Sequence, residues 1–328
     1  MLKFIVRRII ILIPLLVLVS IVAFIVIQLP PGNYVETYIR NLELQGGSVN
    51  ADQKIALERQ YGLDQPVIGQ YFIWIGKIVL HGDFGNSFKY QRPVVDLLAE
   101  RIPRTIAISL AAMVLTWMIG IPIGILSALK KYSVWDYFFT FLSFLGLSIP
   151  AFLLALVLLF AVFTSTGYMT MGLFSPQYQD APWSIAKLLD LMRNVWLPLV
   201  VLAVTGSAGL IRVLRATLLD ELKKQYVTTA RAKGLPEWKV ILFYPIRIAM
   251  NPIISTIGWM LPAMVGGELV VSKVLNIPTV GPMMLDATLS QDMYLAGGFV
   301  LILCTLTIIG TLVSDILLAW ADPRIRFE

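Results

Sequence analysis

Apolar residues along this chain do not alternate with polar ones at strand spacing. They gather in runs at about 9–29, 104–129, 135–163, 195–215, 248–271 and 294–320. A helix rises about 1.5 Å per residue, so about 20 apolar residues cross a hydrocarbon core of about 30 Å. Each of the six runs reaches that length and predicts one membrane-spanning helix. Inside lipid a segment must satisfy its own backbone groups, which a helix does. The pattern predicts an all-α membrane protein with six transmembrane helices.

Between the first two runs lies a long polar connection, 30–103. Asn50 is placed to cap a helix running to Tyr61, with Gly62 as its stop. Asp64 and Pro66 then open "VIGQYFIWIGKIVL", whose Val67, Ile68, Tyr71, Phe72, Ile75, Ile78 and Val79 fall largely on one helical face. Gln70 and Lys77 sit opposite. That segment is too short to span and reads as a helix lying in the membrane interface, or else as an ordinary packed loop helix. Pro122, Pro150, Pro198, Pro252 and Pro262, with Gly206, Gly209, Gly258, Gly266 and Gly267, interrupt the apolar runs. Such breaks suit close helix packing or a bundle that moves. No fixed-period repeat is visible.

Composition agrees: the chain is 58% hydrophobic and only 14% charged, with a mean hydropathy of +0.79, against about a quarter charged in soluble domains. The net charge of +6 does not indicate nucleic acid, because basic residues cluster at the ends of apolar runs. Lys3, Arg7 and Arg8 precede the first run, and Lys130 and Lys131 separate the second and third. Arg212, Arg215, Lys223, Lys224, Arg231, Lys233, Lys239 and Arg247 crowd the fourth-to-fifth connection, and Arg324 and Arg326 follow the sixth run. The opposite connections hold only Lys187, Arg193 and Lys273. By the positive-inside rule both termini are cytoplasmic, and 30–103 is extracytoplasmic. The basic front and long apolar run of the first segment, with no small-residue cleavage site, predict a retained span rather than a signal peptide. Cys304 is the lone cysteine, so no disulfide forms within the chain.

Little catalytic chemistry is present. His81 is the lone histidine and lies in the polar connection. Glu268, near the outer end of the fifth run, and Asp315, just inside the cytoplasmic end of the sixth, are ionisable groups at membrane depth. Each suits an ion-coupled carrier. Each also suits a structural place, Glu268 bordering an outer vestibule and Asp315 pairing with Arg324, Arg326 or a loop amide. No metal motif, nucleophile elbow or GxxxxGK[ST] phosphate loop occurs. Any uphill transport must draw on an ion gradient or on another polypeptide.

The fourth-to-fifth connection contains "QYVTTARAKGLPEWKV". Tyr226 to Lys233 make about two helical turns, Gly234 suits the left-handed position past a helix end, and Pro236 suits the first turn of the next helix. Thr229, Ala230 and Ala232 beside Tyr226, with Arg231 and Lys233 at the edge, predict a helix that another protein's groove approaches closely.

"TTARAKGL" resembles the EAA loop of ABC-importer permeases, in the form found in the dipeptide/oligopeptide family. The similarity extends to "LDQPVIGQYFIWIGKIVLHGDFGNSF", "RIPRTIAISL", "GLSIPAFLLALVL", "VLNIPTVGPMMLDATLSQDMY" and "DPRIRFE", in family order. The chain departs from the pattern at Thr228 and Thr229, where the family's glutamate and first alanine stand. It departs also at Tyr244-Pro245-Ile246-Arg247 in place of IxLP, at Pro278-Thr279 in place of Pro-Gly, and at Ser272-Lys273 for an upstream Glu. The resemblance implies a single permease domain of the type I ABC-importer fold over 1–328, with a coupling-helix loop at 216–247. It implies ATPase docking through Tyr226, Thr229, Ala230, Arg231, Ala232, Lys233, Gly234, Leu235 and Pro236, and a gate or pathway near Ser148, Pro150, Glu268, Pro278 and Gly281. It further implies a non-catalytic transport subunit of a bacterial or archaeal cytoplasmic (inner) membrane. The implied partners are a second homologous permease, two cytoplasmic P-loop ATPases that hold the ATP and Mg, an extracytoplasmic substrate-binding protein and the bilayer. No cofactor is implied on this chain. Small peptides are the implied cargo, with oligosaccharides or nickel chelates as alternatives on the same architecture. A secondary carrier working through Glu268 or Asp315 is the rival from another class, and a non-transporting scaffold or receptor that recruits a partner through this loop is a second.

Overall fold

The computed structural model describes residues 2–28, 36, 39, 40, 43, 44, 50–60, 64–87 and 89–321, with 2–9, 51, 52, 57, 60, 258–268 and 321 described by backbone alone. Its helices are α1 (Leu2–Gln28), α2 (Ala51–Gln60), α3 (Val67–His81), α4 (Val94–Leu129), α5 (Val134–Ser148), α6 (Ala151–Thr166) and α7 (Ile185–Glu221). They continue as α8 (Gln225–Ala232), α9 (Glu237–Phe243), α10 (Pro245–Ala249), α11 (Asn251–Val274), α12 (Val280–Leu289) and α13 (Met293–Ala321). The short strands β1 (Asn86–Ser87) and β2 (Arg92–Pro93) pair antiparallel.

The segments Ile10–Gln28, Val94–Leu129, Ile185–Glu221 and Met293–Trp320 are each long and apolar enough to cross a membrane. Two of the six expected runs are broken, each beside one of the prolines noted in the sequence, Pro150 and Pro252. The third divides into α5 and α6, bent by 101°, and the approach to the fifth bends by 42° before α11. The first break has a local cause. A residue preceding proline is pushed out of the helical region, and Ile149 is extended at φ −87, ψ 120 ahead of Pro150. By length and composition the count is six only if each bent pair is one span.

The chain forms two compact units. One comprises Met1–Arg104 and Pro282–Leu306. Within it α3 packs on α1 through Phe24, whose ring lies 5.6 Å from Tyr71 and 5.7 Å from Trp74. The Ser20 hydroxyl donates to the Val17 carbonyl, so the 2.7 Å contact with Tyr71 is a donation from the phenol. Gln28 donates to Gln70 at 2.9 Å. The side of α3 bearing Gln70, Tyr71 and Trp74 therefore faces the protein, while Val67, Ile68, Phe72 and Val79 are exposed. Asn50 caps α2 reciprocally: its Oδ1 accepts from Gln53 N and its own N–H donates to Gln53 Oε1. The expected stop at Gly62 lies outside the described residues.

A tight turn follows α3. Gly82 and Gly85 stand at φ +66 and +86, and a Cβ on Gly85 would sit 2.7 Å from Tyr294 Cδ1. The β1–β2 hairpin is held to the start of α13 by Asp292, which is fully buried and accepts from the Ser87 hydroxyl and the Lys89 and Leu295 amides.

The other unit comprises Thr105–Gly281 and Thr307–Glu328, and α7 is its axis. In lipid, helices associate through close approach of small residues rather than through exclusion of water. Gly120 and Gly124 of α4 meet Leu210 and Leu214 of α7, a Cβ on Gly120 falling 2.7 Å from Leu210 Cδ2. One buried cluster gathers Ala112, Ala155, Leu197, Val201 and Val271; a second gathers Ala128, Leu214, Leu218, Ala249 and Ile253. The second is the platform for the connection described next.

Candidate functional site

The connection after α7 is a compact helical hairpin. Helix α8 ends as its sequence predicts: the Gly234 amide donates to the Arg231 carbonyl at 2.9 Å, and Gly234 takes φ +76. Nothing lies within 4 Å of where a Gly234 Cβ would stand, so glycine serves the backbone here and not a packing contact. Pro236 is the N-cap of α9, one place before the first turn where it was expected, and Glu237 opens the helix. Val227, Ala230 and Val240 close a small core against Tyr226.

Burial sorts the expected docking residues into two faces. Tyr226 and Ala230 turn inward, whereas Thr229, Arg231, Ala232, Lys233, Gly234, Leu235 and Pro236 are exposed, joined by Thr228 and Trp238. The outward surface is thus small-residued and rimmed by basic groups.

Two polar contacts hold this hairpin. The Tyr226 hydroxyl donates to Glu221 at 2.6 Å, and burial followed by this bond pushes the phenol well above its ordinary value. Across the Gly234 joint, Arg231 donates through Nε and Nη2 to both oxygens of Glu237, at 3.1 and 2.6 Å. The guanidinium holds the Glu237 carboxyl below its ordinary value. Leu222, Ile246 and Met250 pack on the Leu214–Ile253 cluster, so the ends of the connection are anchored to the long helices.

Sequence reasoning missed a clamp farther up α7. Arg215 donates through Nε and Nη2 to both oxygens of Asp136, each at 2.7 Å, and Asp136 is only 2% exposed. Asp136 also accepts the Tyr132 amide at 2.8 Å, while its own amide donates to Ser133 Oγ. The signal was present as a capping box, Ser133-x-x-Asp136. In the sequence Arg215 reads only as a topology-setting charge.

The expected gate residues fall in separate features. Ser148 and Pro150 flank the α5–α6 break, with Ser148 Oγ donating to the Phe144 carbonyl. Pro278 lies in the turn before α12, and Gly281 sits so close to α11 that a Cβ would fall 2.8 Å from Leu269 Cα. The Glu268 side chain lies outside the described residues, as do Arg324 and Arg326. Asp315 is buried beside Ser314, whose hydroxyl donates to the Ile254 carbonyl at 2.8 Å. Among the described residues no three His, Cys, Asp or Glu side chains gather as a metal site.

A network not foreseen lies at the other end of α7. Asp190 accepts from the Ser175 amide and hydroxyl, and Tyr168 donates to Asn194. Lys187 is buried and donates to the Gln179 and Ala181 carbonyls beneath Phe174 and Trp183. It orders the connection between α6 and α7.

Residues 120–327 match the family described as "Binding-protein-dependent transport system inner membrane component", and residues 1–110 match its N-terminal component. The chain is 34% identical to the "Oligopeptide transport system permease protein AppB" of Bacillus subtilis, over 100% of both chains. It is 32% identical to a "Putative peptide permease protein" of Brucella suis, over 99% of each. With the "Oligopeptide transport system permease protein OppB" of Haemophilus influenzae identity is 31%, again over 100% of both. This chain belongs to the family of binding-protein-dependent transport inner-membrane components.

Proposed function

We propose that this member of the binding-protein-dependent transport permeases forms half of the path by which an ATP-driven importer carries small peptides. The names of three full-length relatives, each a peptide or oligopeptide permease, support that cargo. Both termini lie in the cytoplasm, the two bent pairs each count as one crossing, and the membrane is the cytoplasmic membrane of a bacterium or archaeon. The partners are a second permease, two P-loop ATPases that bind ATP and Mg, and an outer binding protein that delivers cargo.

The observation that carries the proposal is the hairpin at 225–243. Its small-residued outer surface is exposed among the described residues, and its ends are anchored in the core of the long helices. An ATPase groove that receives Thr229, Ala232 and Leu235 displaces the hairpin when nucleotide closes the ATPase pair. Leu222, Ile246 and Met250 pass that displacement to α4, α7 and α11. Closely packed helices respond by switching between discrete arrangements rather than by bending. ATP and loaded binding protein then bias the same two-state element from opposite ends.

The test is purification of the chain from its native membrane in mild detergent, with identification of co-purifying proteins and an ATPase assay. Recovery of a second permease and of P-loop ATPases, lost when residues 228–234 are scrambled in a correctly inserted chain, supports the proposal. A chain that emerges alone, stable and without ATPase activity overturns it.

A further inference from the structure

Between α5 and α7 lies a cavity of about 230 Å³, lined by Thr140, Phe144 and Leu147 on one helix and Ile211, Arg212 and Arg215 on the other. It far exceeds the roughly 10–15 Å³ that one water requires and falls short of the about 300 Å³ at which pockets enclose a whole small ligand. Its size suits part of a longer molecule. From Thr140 to Leu147 the groove extends roughly 10 Å along α5 by helical rise.

Charge is confined to one end. Asp136 is satisfied by Arg215 through two 2.7 Å bonds, which leaves that pair neutral. Arg212 is exposed and has no hydrogen bond or ion pair among the described residues. The groove therefore carries one surplus positive charge beside Thr140, with Phe144, Leu147 and Ile211 above it. More basic groups stand nearby: Lys131, then Arg215 and Lys223, hold the Tyr132 phenol below its ordinary value. Trp135, Phe141 and Phe144 of α5 are all exposed.

An apolar trough with one cation at the end nearer the basic connections complements an amphiphile with a single negative charge. We infer that this groove binds an anionic phospholipid of the cytoplasmic leaflet. Its phosphate would meet Arg212 and the guanidinium edge of Arg215 not used by Asp136. Its upper acyl chain would lie on Phe144, Leu147 and Ile211. The inference rests on the membrane orientation given under the proposed function. The occupied groove would brace α5 against α7, the helix that leads into the 225–243 hairpin.

The experiment is native mass spectrometry of the purified importer complex titrated with phosphatidylglycerol or phosphatidylcholine, for the unaltered chain, R212Q and R212K. Because Arg212 is exposed and unpaired among the described residues, both variants should fold, which a melting measurement checks. The unaltered chain and R212K should retain phosphatidylglycerol over phosphatidylcholine. R212Q should retain it about fivefold less, the effect of one basic residue at an anionic surface. Equal retention of both lipids, or retention unchanged in R212Q, overturns the inference. So does cross-linking from F144C to a second permease subunit instead of to lipid. Lipid retention is read whether or not ATPases accompany the chain, so loss of the ATPases strikes the importer proposal alone.

Discussion

Gly234 offers the sharpest test of how the hairpin works. It stands at φ +76 with no atom within 4 Å of a would-be Cβ, so backbone strain is the sole penalty for replacing it. For a residue with a branched Cβ the left-handed region costs about 1–2 kcal/mol. That strain lowers the ratio of formed to unformed joints about 5- to 30-fold. Asn visits the same region with far less strain. Gly234→Val should leave ATP hydrolysis running while uptake falls, and Gly234→Asn should stay near the unaltered chain. The assay is labelled-peptide uptake per ATP hydrolysed, in vesicles holding the assembled importer. Unchanged coupling in Gly234→Val refutes the reasoning, and so does equal damage from Val and Asn, since strain would then not be the cause.

Three further outcomes follow from the packing. Arg215→Ala leaves the buried Asp136 carboxylate without its guanidinium and should cost about 3–5 kcal/mol. Asp136→Ala should cost less, because Arg215, a quarter exposed, can turn to water; melting curves that rank the two in the opposite order contradict this. Gly85→Ala, strained at φ +86 and 2.7 Å from Tyr294 Cδ1, should lower the melting temperature more than Gly82→Ala, which has open space; equal shifts count against it. Burial raises the Asp292 carboxyl above its ordinary value of 3.8, against the hydroxyl and amides that favour its charge. A raised folded value means stability present below 3.8 and lost as pH rises through the folded value. Asp292→Asn should therefore flatten the dependence of melting on pH between acid and neutral conditions. Asp292→Ala should cost about 1–3 kcal/mol by leaving Ser87 and Lys89 donors without an acceptor.

Where local chemistry decides, the sequence was readable. The left-handed Gly234, the Asn50 cap and the proline break at Pro150 all follow from the backbone preferences of single residues. Hydropathy located each long helix but not its ends. Helix α4 begins at Val94, well before the run from 104, and α7 reaches back to Ile185 because Lys187, Asp190 and Asn194 find partners that a window average does not see. The 101° bend between α5 and α6 was not legible either, since proline announces a break without giving its angle. In α3 the helix was foreseen, but the packed side was not: Tyr71, counted with the apolar face, met Ser20, and Gln70 from the opposite side met Gln28. At the hairpin, composition marked the segment and tertiary contacts chose its face. Ala230 turned inward to Val227 and Val240, leaving Thr229, Ala232 and Leu235 exposed. Asp136 drew no attention because a lone aspartate in an aromatic run shows its role only when Arg215, 79 positions away, is placed beside it.

The most direct measurement of the central claim is peptide uptake into vesicles reconstituted with the purified complex and its binding protein, with ion gradients collapsed by ionophores. Uptake that requires ATP on the hairpin side and persists without any gradient is the predicted result. Uptake that continues without ATP and vanishes with the ionophores would contradict the account and direct attention to Glu268 and Asp315.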